Sequence, residues 1–309
     1  MKNTFDFAAL GEGMLEFNQT HPGKPDYLQG FGGDTSNAAI AAARAGARCA
    51  YLSRVGLDAF GQLLLDLWSH EGIDTTAVER DAVHPTGAYF VTHGPDGHVF
   101  SYLRAGSAAS RMTPQWLLNG PAKDILAASR ILHVSGISLA ISGSARDTVF
   151  AAMQSARETG SLVSFDANLR LKLWPLAQAR DCIARAVSMA DIFLPSLDDA
   201  TSLCGLSDPD QIIDWGHSLG AATVVLKLGS RGALASDGGR RERIPGHRVK
   251  LIDATGAGDC FSGNLLARIA QGSTVFEAAR YANAAAALAV QGYGAVAPLP
   301  GPDAVKALL

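Results

Sequence analysis

A glycine-rich run that ends in an aspartate is the strongest candidate for chemistry in this chain. It reads Asp253-Ala254-Thr255-Gly256-Ala257-Gly258-Asp259. The residues after it place Phe261, Leu265 and Ile269 at helical spacing, which predicts a helix with one buried face. A turn without bulky side chains therefore leads directly into a helix N-terminus.

Such a turn could bind an anion next to an acid. Gly256, Ala257 and Gly258 have little or no side chain, so their N–H groups can approach a phosphate closely. The positive end of the helix favours negative charge at the same place. Asp259 could take a proton from a substrate hydroxyl, and the whole set suits phosphoryl transfer. An aspartate that only caps a helix after a glycine turn would give the same pattern.

Two further glycine motifs could contact small molecules. Gly32 and Gly33 precede a predicted helix, and Asn37 on that helix offers a donor and an acceptor to vicinal hydroxyls. On its own, this motif is better explained by a glycine turn with Asp34 or Thr35 as the N-cap. The run Lys227-Leu228-Gly229-Ser230-Arg231-Gly232 suits either a tight turn near a nucleotide or an ordinary hairpin.

The composition limits the class of protein. The 309 residues can bury a large core, and their net charge of -3 includes no long run of one sign, so no nucleic-acid partner is expected. No apolar stretch is long enough to span a membrane. The four cysteines form no Cys-x-x-Cys pair and residues 1–10 lack the apolar core of a signal peptide. We therefore expect a cytoplasmic protein with reduced thiols.

Short apolar runs alternate with helical segments, which predicts an α/β fold with a parallel sheet covered by helices on both faces. The predicted strands are Phe5–Leu10, Cys49–Val55, Ile131–Ser135, Leu162–Asp166, Ile192–Pro195, Thr223–Leu228 and Ala233–Ser236. The predicted helices are Thr35–Ala45, Ala59–His70, Ser144–Glu158, Ala177–Ala190, Pro209–Leu219, Asp259–Gln271 and Thr274–Val290.

Two segments depart from this alternation. Met14 to Phe31 is strand-like but polar in places, and Thr86 to Leu103 alternates apolar and polar residues around Pro95-Asp96-Gly97, which predicts a hairpin. We expect the two segments to form a small half-exposed sheet that covers the carboxyl edge of the main sheet as a lid. The alternative, that they only extend the main sheet, is less consistent with their alternating polarity.

Taken together, two of these motifs resemble a known family. Gly32 to Gly46 is similar to the N-terminal signature of the ribokinase-like (PfkB) carbohydrate kinases, and Asp253 to Asp259 is similar to their C-terminal signature. The resemblance covers essentially the whole chain. It implies a three-layer α/β/α fold in a single kinase domain over residues 1–309, with a lid formed by about residues 12–32 and 86–104. It also implies ATP-dependent phosphorylation of a sugar hydroxyl, with Asp259 as the base and Gly256, Ala257 and Gly258 as the anion hole.

Four motifs resemble, more narrowly, the 2-keto-3-deoxygluconate kinases. They are Gly11 to Glu16, Phe31 to Asn37, Val134 to Ala140 and Phe165 to Arg170. This resemblance implies that the sugar acid binds at Gly33, Asn37, Tyr89, Tyr102, Arg104, Arg170 and Asp259. It implies that ATP binds at Asn168, Arg170, Lys227, Gly229, Ser230, Gly232, Gly256, Gly258 and Asn283.

The chemistry of such a substrate agrees with these residue types. A sugar acid carries a carboxylate, to which Arg104 and Arg170 could supply charge-assisted hydrogen bonds. Tyr89 and Tyr102 alternate onto one face of the hairpin and could donate their hydroxyls. A solvated arginine pair and packing within the lid would be the alternative for these four side chains.

The resemblance also implies metal ions. Many family members carry Asn-x-x-Glu at the end of a central strand, which helps to place Mg²⁺ through water, and here the stretch is Ser196-Leu197-Asp198-Asp199. Asp199 keeps a carboxylate for that role. Family members often bind K⁺ near the C-terminal signature, where Asp253 and residues 291–296 could form a site.

The resulting hypothesis is an ATP- and Mg²⁺-dependent kinase that phosphorylates 2-keto-3-deoxygluconate and assembles as a homo-oligomer through the lid. Another sugar kinase, such as a fructokinase or a ribokinase, is the nearest alternative. A non-catalytic sugar-acid sensor is less favoured, because Asp259 and the anion hole are intact. A nucleoside kinase is also less favoured, because the lid has polar and cationic residues where an apolar pocket would be expected.

Overall fold

The computed structural model describes residues 4–94 and 97–309. In this part of the chain the strands form a main sheet of nine strands and a small sheet of four. Their bounds are β1 Phe5–Leu10, β2 Met14–Gln19, β3 Tyr27–Gly32, β4 Cys49–Gly56, β5 Val78–Asp81, β6 Ala88–Gly94, β7 Gly97–Leu103, β8 Ser129–Ser135, β9 Leu162–Asp166, β10 Ile192–Phe193, β11 Thr223–Lys227, β12 Ala233–Ser236 and β13 Arg241–Ile244.

The main sheet has the strand order β13-β12-β11-β10-β9-β8-β1-β4-β5. Neighbours from β11 to β5 pair in parallel, whereas β12 and β13 form an antiparallel edge. The parallel strands all end at one edge of the sheet, so the segments that follow β1, β8 and β9 lie together there. Ligands of open α/β sheets bind at this carboxyl edge.

Helices cover both faces of the main sheet. Their bounds are α1 Asp34–Arg44, α2 Ala59–His70, α3 Pro114–Asn119, α4 Pro121–Ala127, α5 Gly136–Ala140, α6 Gly143–Glu158, α7 Leu176–Ser188, α8 Leu197–Cys204, α9 Pro209–Ser218, α10 Ala257–Ala270, α11 Val275–Ala289 and α12 Pro302–Leu308. One apolar cluster joins the sheet to α1, α2, α10 and α11, and a second joins its other face to α4, α6, α7 and α9. The predicted layers are therefore confirmed. Among the described residues, no helix combines the length and the apolar character that crossing a membrane would require.

Helices α1 and α10 pack with unusually little space between them. A Cβ atom on Gly263 would lie 2.2 Å from the carbonyl oxygen of Ala38, a distance that real Cβ atoms do not tolerate. Only glycine fits at this position of α10 without a shift of backbone. The close approach brings the first turns of the two helices together, although they lie at opposite ends of the chain.

The small sheet has the order β3-β2-β6-β7, with β2 and β6 parallel and the other two pairs antiparallel. The register aligns Glu16 with Tyr89 and Tyr89 with Tyr102, so these three side chains lie on one face, which we call the inner face. The two polar segments thus form a separate sheet, as predicted, and do not extend the main one. Residues 95 and 96 of the predicted turn Pro95-Asp96-Gly97 lie outside the described residues.

Candidate active site

A cavity of about 500 Å³ lies between the carboxyl edge of the main sheet and the inner face of the small sheet. Lys172, which was not predicted, lies on its rim. All the residues predicted to bind the substrate line it together with Gly256: Gly33, Asn37, Tyr89, Tyr102, Arg104, Arg170 and Asp259. The structure therefore collects residues from five separate parts of the sequence at one place.

Two carboxyl and two amide side chains form the floor of this cavity. Asp34, Asn37 and Asp259 line the cavity, and Asn168 is hydrogen-bonded to both carboxyl groups from outside it; we call these four residues the floor. Asn37 Nδ2 donates a hydrogen bond to Asp259 Oδ2 at 2.9 Å. Asn168 Nδ2 donates to Asp34 Oδ2 at 3.1 Å and to Asp259 Oδ1 at 3.5 Å. The amides thus hold both carboxyl groups at the first turns of α1 and α10.

The environment of Asp259 suits a base that works near neutral pH. Burial within the protein, followed by the nearby Asp34 carboxyl, raises the pKa of Asp259 to about 7. Burial also raises the pKa of Asp34. A carboxyl group with a pKa near the operating pH can accept a proton and later release it.

Helix α10 begins two residues earlier than predicted, at Ala257, with Gly256 as its N-cap. The N–H groups of the first helical turn lack acceptors within the helix, so they can bind an anion. The N–H of Ala257 was predicted to belong to the anion hole. In the structure it donates instead to the carbonyl oxygen of Ala254 at 3.2 Å, within the preceding turn. Gly258 lies one residue further into that first turn, beside Asp259.

Lys227 lies directly behind this turn. Its Nζ is 2.5 Å from Asp166 Oδ2 and 3.5 Å from Ser262 Oγ on α10. A Cβ on Gly258 would lie 3.5 Å from the same Nζ. The lysine at the end of β11 therefore lies next to the N-terminus of α10, where it forms an ion pair with Asp166.

The other residues predicted to bind ATP do not line the cavity. Gly229 and Ser230 lie in an exposed turn after β11, and Gly232 lies against the backbone before Gly246. Asn283 on α11 donates to the carbonyl oxygen of Pro245 at 2.8 Å. Asn168 does not line the cavity either, but its amide donates to the floor carboxyl groups of Asp34 and Asp259.

One side of the cavity is formed by the small sheet. We call this side the wall, and it consists of Tyr89, Tyr102 and Arg104. Arg104 is 9% exposed, and its guanidinium donates to the buried carboxylate of Glu12, which also accepts from Ser107 Oγ at 2.5 Å. Among the described residues, Arg104 Nε is buried without a hydrogen-bond partner. Arg104 thus has a fixed counter-ion and a remaining donor.

The hydroxyl of Tyr89 has a partner within the protein. The hydroxyl donates to Glu16 Oε2 at 2.5 Å, so its hydrogen is not directed at the cavity. In this structure the hydrogen of Tyr89 is therefore given to Glu16, and the contact of Tyr89 with the substrate stays a prediction. The Tyr89 ring packs beside that of Tyr102 with a centroid distance of 5.7 Å, as their shared face predicted.

Two further cations lie on the opposite rim. Arg170 and Lys172 follow β9, line the cavity and are exposed. The Arg170 guanidinium donates to the carbonyl oxygen of Leu169 at 2.9 Å, and no ion pair to it is found within the part of the chain that the structure describes. These two side chains add positive charge that Glu12 does not offset.

The structure also places the residues predicted to hold metal ions. Ser196 caps α8 by accepting from Asp199 N at 3.1 Å, which accounts for a serine there. Burial, followed by the Asp166 carboxylate, raises the pKa of Asp199. Asp253 accepts hydrogen bonds from Thr255 N and Gly294 N, both at 2.9 Å, and so ties two loops together. In residues 4–94 and 97–309, no group of three or more His, Cys, Asp or Glu side chains could hold a metal ion.

The sequence interpretation missed three acidic residues of the site. Asp34 appeared only as a helix cap, whereas the helix begins with it and its carboxyl lies in the floor. Glu12 and Glu16 appeared only as letters of a motif, whereas each binds a side chain of the wall. The pattern that could have identified Glu12 and Glu16 is a glutamate at each end of a short run without charge, Glu12 to Glu16.

Comparisons with known proteins agree with this geometry. The family model of the pfkB family carbohydrate kinases matches residues 3–302. The chain therefore belongs to the pfkB family of carbohydrate kinases, and it is a sugar kinase that uses ATP.

Similar proteins carry the names of kinases for two different sugars. The chain is 34% identical to a 2-dehydro-3-deoxygluconokinase of Thermoproteus tenax, over 97% of this chain and 93% of the relative. That name denotes a 2-keto-3-deoxygluconate kinase. The chain is 33% identical to Probable fructokinase-7 of Arabidopsis thaliana, over 97% of this chain and 91% of the relative.

Solved structures show the same ribokinase-like fold. A PfkB protein from Polaromonas sp. JS666 matches with a TM-score of 0.89 and 32% identity, over 98% of this chain and all of the other. A fructokinase from Vibrio cholerae O395, bound to fructose, ADP and a calcium ion, matches with a TM-score of 0.86 and 30% identity over 99% of each chain.

Proposed function

We propose that the protein phosphorylates 2-keto-3-deoxygluconate on its 6-hydroxyl, with ATP as the donor. The observation that supports this substrate most directly is the pairing of the Asp259 floor with three cations in one cavity: Arg104, Arg170 and Lys172. A neutral sugar needs no cation, whereas a 2-keto acid carries a carboxylate for which arginine supplies charge-assisted hydrogen bonds. The relative from Thermoproteus tenax supports the same substrate.

The floor would carry out the proton transfer. Asp259 takes the proton of the 6-hydroxyl as the hydroxyl oxygen attacks the γ-phosphorus, and ADP leaves with the electrons of the broken P–O bond. Asn37 Nδ2 fixes the Asp259 carboxylate, while Asn37 Oδ1 is buried without a partner among the described residues and is available to a substrate hydroxyl. Fixing base and nucleophile together removes most of the entropic cost of their encounter.

The N-terminus of α10 and Lys227 would bind the transferring phosphoryl group. Both place positive charge where negative charge develops in the transition state. Magnesium, when bound with ATP, neutralises the phosphates. Asp166 and Asp199 fit such an ion held through water, because both offer carboxylate oxygens near Lys227. A role of Asp253 in binding K⁺ remains a prediction.

We also propose that residues 1–309 act as one kinase domain in which the small sheet is the lid. Closure of the lid would exclude water and so suppress ATP hydrolysis. On the face opposite the inner face, the small sheet exposes Leu103, which is 65% exposed, and Val99. Contact with another copy of the chain would cover these side chains, and light scattering of the purified protein tests whether it is an oligomer.

The decisive experiment measures ATP consumption with Mg²⁺ and each of four acceptors: 2-keto-3-deoxygluconate, fructose, ribose and adenosine. We expect kcat/KM for the keto acid to exceed the others by about 100-fold, the magnitude of one lost charged hydrogen bond or more. A preference for a neutral sugar would leave Asp259 as the base and refute the carboxylate role of Arg104 and Arg170.

Fructose is a second candidate substrate, because one observation favours a neutral sugar. Glu12 forms an ion pair with Arg104, whereas Arg170 and Lys172 form no ion pair with the described residues and are both exposed. The same four-acceptor assay with Arg170→Met distinguishes the candidates. The keto-acid assignment predicts a KM increase for the acid alone, whereas the fructose assignment predicts no selective change.

A further inference from the structure

Glu16 does not line the substrate cavity but lies at its border. Its side chain is 2% exposed, and it lines a second cavity of about 710 Å³ along the same inner face of the small sheet. Its Oε2 accepts the Tyr89 hydroxyl hydrogen at 2.5 Å. The Tyr89 hydroxyl thus separates Glu16 from the substrate cavity.

The Tyr89 hydroxyl is also fixed from the other side. A Cβ on Gly32 would lie 2.2 Å from the hydroxyl oxygen, so the hydroxyl occupies the space that any other side chain at position 32 would need. Tyr89 itself is 5% exposed and packs against Tyr102. Its hydroxyl therefore has one defined position, between Gly32 and Glu16.

The direction of this hydrogen bond decides what Tyr89 can offer the substrate. A phenol hydroxyl has a single hydrogen and two lone pairs. Because the hydrogen is given to Glu16, only the lone pairs of this oxygen remain for a ligand in the cavity that Tyr89 lines. Such an oxygen can accept from a sugar hydroxyl, whereas it repels a carboxylate or ketone oxygen, neither of which has a hydrogen.

We propose that Glu16 is a positioning residue that makes Tyr89 a selective acceptor for one hydroxyl of the substrate. This inference deepens the proposed function and rests on it, since that hydroxyl would belong to the C4–C5 part of the sugar acid. The Tyr89 oxygen would also orient the substrate. Its lone pairs repel the carboxylate, which is therefore directed towards Arg104 and Arg170.

The test compares the natural substrate with analogues that lack the C4 or the C5 hydroxyl. In the unmodified enzyme, one analogue should show a KM about tenfold higher than the substrate, with kcat nearly unchanged, as for one lost hydrogen bond. Tyr89→Phe should raise KM for the substrate about tenfold. The KM values of this variant for the substrate and for that analogue should then be equal. The kinetics are measured at about pH 8, because burial, followed by the Asp253 carboxylate, raises the pKa of Glu16.

Substitutions of Glu16 test its link to Tyr89. Glu16→Met fills the space without an acceptor and should lose the discrimination as Tyr89→Phe does, and the double variant should be no worse than either. Glu16→Gln keeps an amide oxygen that can accept from Tyr89 and should retain the discrimination. Tyr27→Phe is the matched control, because its ring packs on Phe90 at the opposite face of the small sheet.

Two results would overturn the proposal. One is a Tyr89→Phe enzyme that still distinguishes the analogue. The other is a folded Glu16→Met enzyme that keeps the discrimination; if this variant does not fold, Tyr89→Phe alone decides. Failure of the proposed substrate is a separate result, since an enzyme that prefers fructose can be tested in the same way with monodeoxy fructoses.

Discussion

The floor and the wall of the cavity use carboxyl groups in opposite ways. In the floor, Asp34 and Asp259 face the cavity and are held by amide side chains. In the wall, Glu12 and Glu16 are buried behind Arg104 and Tyr89 and hold them instead. The difference indicates that the floor supplies reactivity and the wall supplies selectivity. Changes in the floor should therefore lower kcat, and changes in the wall should raise KM.

The largest effect is expected from removing the base. Asp259→Asn should lower kcat by about 1,000-fold, since general bases contribute 10²–10⁴-fold, while the sugar still binds. A coupled ATP assay measures kcat, and calorimetry measures sugar binding. A loss of less than tenfold would show that the floor does not supply the base.

The next effect separates structure from selectivity in the wall. Arg104→Met leaves the buried Glu12 carboxylate without its cation, and we expect a loss of about 3 kcal/mol in the free energy of unfolding. The double variant Glu12→Gln with Arg104→Met should recover most of that stability, because no buried charge remains.

Substrate kinetics of the same double variant complete this test. If Arg104 binds the carboxylate, KM for the sugar acid stays raised by about tenfold or more although the fold is restored. Full recovery of KM along with stability would assign Arg104 a purely structural role. Urea denaturation gives the free energies of unfolding.

A smaller effect is expected at the contact that assembles the floor. Gly263→Ala must push α10 away from the Ala38 carbonyl, at a cost of about 1–3 kcal/mol in stability. Asn37 and Asp259, whose side chains are 2.9 Å apart, would separate, so kcat should fall several-fold more than KM changes. Gly143→Ala at the start of α6 is the control, since its Cβ would meet only Arg146 Nη2 at 3.6 Å. Equal effects of the two substitutions would contradict this account.

The effect of pH is continuous and needs no substitution. Only the ionised Asp259 acts as a base, so kcat/KM should rise tenfold per pH unit below about 7 and level off above it. Asp34→Asn removes the neighbouring carboxyl that raises the pKa of Asp259, and it should shift the midpoint to lower pH. An unchanged midpoint would show that the two groups do not interact.

The same ionisation affects stability with a defined sign. The folded pKa of Asp259, about 7, is above its ordinary value of 3.8, so the folded state binds this proton more tightly than the unfolded state does. Asp259 therefore lowers the stability of the folded protein progressively as pH rises from about 4 to about 7. Asp259→Asn should be the more stable protein at pH 8, which thermal denaturation measures.

Much of the main sheet follows from local pattern. The strands Phe5–Leu10, Leu162–Asp166 and Ala233–Ser236 have the predicted bounds, because short apolar runs bounded by turn residues are typical of buried strands. The short helices α3 and α4 were missed, since each begins at a proline and is too brief to show a period. Helix α10 starts earlier than predicted because glycine and alanine carry no periodic signal.

Periodicity and short motifs were enough to predict the layers of the fold, the small second sheet and the roles of Asn37 and Asp259. The pairing of the groups depends instead on packing between distant segments. Glu12 meets Arg104 across 92 residues of sequence, and Asn37 meets Asp259 across 222. The direction of the Tyr89 hydrogen bond was likewise decided by the neighbour that β-pairing places beside it. Local sequence fixes which donors and acceptors a chain carries, but packing fixes which of them remain for a substrate.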